Sequence, residues 1–66
     1  MEYAVKMYFV FKNVVLVRYA GKRTASCRLW RIEGWKRRET AEKYIQKAIA
    51  EDKSEGYNRV YEIITL

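Results

Sequence analysis

The run Trp30-Arg31-Ile32-Glu33-Gly34-Trp35-Lys36-Arg37-Arg38 sets two indole rings among four bases. Rings and cations at that density suit one chemistry well. Unpaired nucleic-acid bases stack on aromatic faces while Lys and Arg follow the phosphates. The competing reading makes the rings core, Trp30 more so than Trp35, and leaves the bases solvated. The run belongs to a larger block. Between Lys12 and Arg38 nine bases meet a single acid, a local charge of +8, whereas Glu39–Leu66 carries −2 and the chain as a whole +6. Asymmetry of this kind points to an anionic partner at one end or face. It also serves plain solubility.

Other chemistry is poorly supplied. The chain has no His to move protons near neutral pH. Its one Cys, Cys27, cannot form an internal disulfide and has no Cys/His set for zinc. Apolar neighbours of the same parity suggest that Cys27 is a small hydrophobe inside a strand. Glu51, Asp52 and Glu55 cluster where a helix should end, but without the spacing of a metal loop. The three glycines stand too far apart for a phosphate-cradling loop. An enzyme is not expected, nor a cofactor. Met1–Phe11 lacks the order of a secretory signal, and no run approaches the about 18 apolar residues of a membrane span. A reducing, cytoplasmic setting without a membrane partner is the expectation.

The elements that must hold the basic block follow from periodicity. Tyr3–Phe11 carries Tyr3, Val5, Met7, Phe9 and Phe11 on one parity, the period of a strand. Lys12-Asn13 breaks it with a residue that tolerates the left-handed region. Val14–Ala20 is a second, β-branched strand, and Gly21-Lys22-Arg23 a turn in which Gly would supply a positive φ. A third strand is predicted from about Thr24 to Glu33, with a β-bulge near Leu29–Trp30 where the apolar parity switches. A helix from about Arg38 to Asp52 has the stripe Ala41, Tyr44, Ile45, Ala48, Ile49. Arg37 and Arg38 sit at its uncapped start, where cations oppose the dipole. Gly56 is placed to end it. Asn58–Leu66 is the last strand. The whole is a single α+β domain over residues 1–66, a small antiparallel sheet in the order β-β-β-α-β with one amphipathic helix on one face. Sixty-six residues support only a small core.

One helix covers one face. If the odd positions of the first strand meet it, Ala4, Lys6, Tyr8 and Val10 face away. Val14, Leu16 and Arg18 would join them from the second strand, and Arg28 and Trp30 from the third. Unless the sheet twists over itself, that face is apolar and basic together, the composition of an interface. The leading expectation is a small nucleic-acid-binding protein. Lys6, Arg18, Lys22, Arg23, Arg28, Arg31, Lys36, Arg37 and Arg38 would meet phosphates, and Tyr8 and Trp35 would stack. DNA and RNA fit equally. The alternative is a protein-interaction module, such as an inhibitor that blocks a host protein sterically. In a third reading the open face is a homodimer seam.

Ala41-Glu42-Lys43-Tyr44-Ile45, followed by Tyr61-Glu62-Ile63, resembles a pattern of small uncharacterised phage and prokaryotic proteins. These place an Ala-Glu-x-(Phe/Tyr)-Ile helix before a Tyr-x-Ile strand. The resemblance covers roughly the last thirty residues. It implies helix-on-sheet packing and a mobile-element origin, and no activity or site residues. The Ser/Thr cap usual in such sequences is replaced here by Arg37.

Overall fold

The computed structural model describes residues 1–66. It comprises β1 (Tyr3–Phe11), β2 (Val14–Ala20), β3 (Ala25–Ser26), a single 3-10 turn (Leu29–Arg31), α1 (Arg38–Glu55) and β4 (Val60–Thr65). The sheet is antiparallel throughout in the order β3-β2-β1-β4, so the protein is a small α+β fold with β1 at its centre. No helix is long and apolar enough to cross a membrane.

The β1–β2 turn is the tightest available. Lys12 and Asn13 both have positive φ, 50° and 66°. Two left-handed residues in a two-residue loop match the right-handed twist of the flanking strands. The register that follows pairs Phe11 with Val14, Phe9 with Leu16, Met7 with Arg18 and Val5 with Ala20. On the other side of β1, Val5 pairs with Ile63 and Met7 with Tyr61. Tyr44 of α1 lies with Val5, Met7, Arg18 and Ala20 around one depression, so the helix covers this parity. Ala4, Lys6, Tyr8 and Val10 face away as expected. Their partners on β2 do not match the expectation. A residue shares a face with the one directly opposite it, so Val15, Val17 and Tyr19 join the open face. Val14, Leu16 and Arg18 are on the helix side.

The third strand is also shorter than its predicted span of Thr24–Glu33. Only Ala25 and Ser26 pair, with Ala20 and Tyr19. The parity switch at Leu29–Trp30 marks a chain reversal through the 3-10 turn and no bulge. Local side-chain bonds replace the ladder. Ser26 Oγ accepts from the Arg28 N–H, and Thr24 Oγ1 from the Glu33 N–H, both at 3.1 Å. The segment returns to its start, where the Lys22 N–H donates to the Glu33 carbonyl at 2.7 Å. Cys27 therefore lies outside any strand, and it is exposed.

The return explains Gly21. Its φ is not positive, contrary to the turn reading. A Cβ there would overlap the Glu33 carbonyl oxygen and crowd Ile32. From Gly34 the chain runs beside the start of β1, where β2 has ended. Tyr3 and Trp35 exchange both backbone hydrogen bonds at 2.7 Å, and Glu2 Oε1 accepts from the Gly34 N–H at 3.1 Å. Ala4, although on the open parity, is fully buried at this end.

The helix begins at Arg38 with Arg37 as an N-cap that makes no side-chain cap bond. It continues past the predicted Asp52 to Glu55 and ends at Gly56, φ 78°, in the left-handed region. The Gly56 and Tyr57 N–H groups both return to the Asp52 carbonyl.

The core is thin. Its buried apolar residues are Ala4, Val5, Ala20 and Ala41, and only Val5 is larger than Ala. Backbone fit consequently weighs heavily. Gly21→Ala should cost about 3 kcal/mol or more through overlap with Glu33. Gly56→Ala, which meets open space, should cost about 1–2 kcal/mol from left-handed backbone strain alone. Urea denaturation of the two variants ranks them.

Candidate nucleic-acid interface

The basic block gathers at the end of the sheet where β1 begins. The loop from Lys22 to Glu33 is closed at its neck by the Lys22–Glu33 and Glu33–Thr24 hydrogen bonds. A compact loop with tied ends can hold side chains in place at the surface. At its crown Trp30 is 73 % exposed. The Arg31 guanidinium lies 5.0 Å and that of Arg28 5.8 Å from its ring centroid, within cation–π range. Lys22, Arg23 and Cys27 are exposed on the same loop.

Beside the neck is an open depression of about 380 Å³, lined by Glu2, Lys22, Glu33, Trp35, Lys36 and Arg37 among others. Three bases and two acids thus share one concavity, beside the first turn of α1. The partial positive charge of that helix end adds to the field. Arg38 is turned outward and pairs with Glu42 at 3.4 Å, a solvated ion pair of little energetic weight.

The two tryptophans exchange the roles the sequence suggests. Trp30, read as core, is the most open ring. Trp35, read as the stacking residue, is half-buried, with its ring 5.4 Å from that of Tyr44. Its backbone is bound to Tyr3. A Trp beside a backbone-paired glycine segment is drawn into packing, whereas one on a 3-10 crown is not. Trp30 stands one residue before Arg31 and two after Arg28, and that interleaving was the signal available in the sequence.

The open sheet face is less basic than expected. Lys6 and Tyr8 lie on it, with the Lys6 ammonium 5.6 Å from the Tyr8 centroid. Lys6 stands opposite Glu62 of β4 in the register, which offsets its charge. Arg18 is on the helix side, and Arg28 is on the loop. Of the residues expected to contact nucleic acid, Lys22, Arg23, Arg28, Arg31, Lys36 and Arg37 cluster at the loop end. Lys6, Tyr8 and Arg18 are apart from them.

A second polar cluster, unforeseen in the sequence, sits under the far end of the helix. The Tyr61 hydroxyl donates to Asp52 Oδ2 at 2.6 Å, and Arg59 Nε lies 3.8 Å from Asp52 Oδ1. That is an ion pair but too long for a hydrogen bond, and the buried Nε has no other partner. The Arg59 guanidinium stacks on Tyr57 at 4.3 Å and approaches Phe9 at 5.5 Å. Asp52 continues the inward line Ala41, Ile45, Ala48 at helical spacing, so its burial was legible there. No three of His, Cys, Asp and Glu come together as a metal group. The cluster is a structural link between α1 and β4.

Comparison with protein-family models, curated proteins and solved structures yields no match to this chain.

Burial and the bond to Asp52 push the Tyr61 phenol from 10.0 up to about 12. The folded state therefore keeps a proton that the unfolded chain releases at lower pH. The stabilisation is complete below pH 10.0 and is lost as pH rises through about 12. Absorbance titration should show one tyrosine ionising in that late window, and Tyr61→Phe should abolish it. Asp52→Ala, which strands the hydroxyl and Arg59, should cost about 2–3 kcal/mol, and Asp52→Asn less.

Proposed function

We propose that this protein binds nucleic acid through the Trp30 loop and the neighbouring helix entry. One observation carries the reading. An indole ring stands largely exposed with two guanidinium groups over it, on a loop whose ends are tied. An exposed Trp there has no packing role to explain it. It can take a base on its face while Arg28 and Arg31 swing to the flanking phosphates. Lys22, Lys36 and Arg37 extend the track into the depression at the helix entry. Stacking needs an unpaired base, so single strands should be preferred over duplex. Trp35 belongs to the scaffold in this reading, and the open sheet face is not the contact surface.

The rival reading, a module that docks on another protein, draws on a different region. The β1–β2 hairpin exposes Val10, Phe11, Val14 and Val15 at its tip. A patch of that kind marks an interaction surface more often than a solvated one.

Fluorescence anisotropy with labelled DNA and RNA oligomers, single-stranded and duplex, separates the two. Binding should weaken with salt at a log–log slope near −0.7 for each single-strand phosphate contacted. Trp30→Ala should lose about 1–3 kcal/mol of affinity, roughly 5- to 150-fold, with the unfolding midpoint unchanged. Trp35→Ala should instead lower stability. No binding of any oligomer at low salt would sink the proposal.

A further inference from the structure

We propose that the free edge of β2 is completed by a second copy of this chain, the two β2 strands pairing antiparallel about a two-fold axis at Leu16. This does not rest on the nucleic-acid reading. β3 covers only Tyr19 and Ala20, so Val14–Arg18 has no neighbour on that side. Sheet edges in natural proteins are usually blunted by charge, proline or shortness. This one carries four aliphatic residues and a single Arg.

The backbone selects the register. The two-residue turn makes Phe11–Val14 a hydrogen-bonded pair, so Val14, Leu16 and Arg18 direct their N–H and C=O groups to β1. The alternate residues Val15 and Val17 direct theirs outward. Tyr19 does the same and is taken by Ser26. Both free residues are satisfied, without displacing β3, when Val15 pairs with the partner's Val17 and the reverse. Leu16 then faces its own copy, and the partner's turn reaches the point where β3 starts. Free edge and incoming strand are thus equal in length. An isologous two-fold contact is closed and self-limiting.

The side chains agree with this register. On the helix side it forms the row Phe9–Leu16 and its symmetry mate. On the open face it joins Tyr8 and Val17 to the partner's Val15 and Val10. Val15 is 61 % and Val10 69 % exposed in the single chain. Arg18 falls opposite the partner's Val14, away from its own copy. The strands run in opposite directions, so the Lys22 residues, six positions from the axis, stand about 40 Å apart at ~3.4 Å per residue. The like charges that do approach are the partner's Lys12, opposite Ala20 in this register, and the Lys22-Arg23 turn beside it, a repulsion at each end of the seam that salt screens.

Sedimentation equilibrium at high micromolar concentration should give a dimer that higher salt leaves intact or tightens, the reverse of nucleic-acid binding. In a Cys27→Ser background, Leu16→Cys should form a disulfide dimer under mild oxidation, since facing residues of a non-hydrogen-bonded pair lie about 4.5 Å apart. Val14→Cys, about 14 Å from its mate, should not. Leu16→Lys should give a folded monomer by circular dichroism and sedimentation. A monomeric wild type overturns the proposal. So does a dimer in which Val14→Cys cross-links as fast as Leu16→Cys, or one that Leu16→Lys leaves intact. A salt-resistant dimer with no affinity for oligomers keeps this inference and removes the nucleic-acid one.

Discussion

The hydrogen bond from Tyr61 to Asp52 holds together a fold that apolar burial alone would hold weakly. Four buried apolar residues, three of them alanines, form the core. The helix lies close to the sheet because Ala41 and Ala48 permit it. Yet Tyr44 and Ile49, two of its three larger apolar side chains, remain 40 % and 45 % exposed. Over its last turns the inward position is a carboxylate, and a carboxylate accepts burial only with partners. Tyr61 supplies a proton and Arg59 an opposite charge. The pair fixes the pitch of α1 on β4, and with it the position of the helix entry at the other end.

That geometry turns an asymmetry of sequence into one of space. β1 and α1 run from the same end to the same end, since Trp35 meets Tyr3 and Tyr44 at one, and Tyr57 nears Phe9 and Phe11 at the other. The longest dimension is 34 Å. Along it the surface passes from the basic loop and helix N-terminus to an apolar hairpin tip, with Glu51 and Glu55 in the last turns of the helix. Charge and apolar surface, interleaved along the chain, are separated in the molecule.

Periodicity and turn chemistry made much of this legible. The first two strands, the Lys12-Asn13 turn and the Gly56 helix end coincide with their sequence limits, because each depends on neighbours in the chain. The third strand did not. Ser26 and Thr24 bind backbone that a strand would have used, and such competition is not visible in hydropathy. Face assignment on β2 failed for a related reason. Its run of β-branched residues has no parity of its own, so only the turn sets the register. The basic cluster was legible as composition, but which Trp stood free was decided by the bridge of Trp35 to Tyr3 beside β1, a contact between distant segments.

The sheet order also imposes a schedule. β1 is the central strand, yet one neighbour is the next element made and the other is the last. A hairpin such as β1–β2 forms in about 1–10 μs. Its flank toward β4 must then wait for about forty further residues, a few seconds at about 5–20 residues per second of synthesis. For that interval, roughly a million times the hairpin's own formation time, the N–H and C=O groups of Ala4, Lys6 and Tyr8 lie on an unpaired edge. The nascent chain is thus most adhesive long before its fold can close.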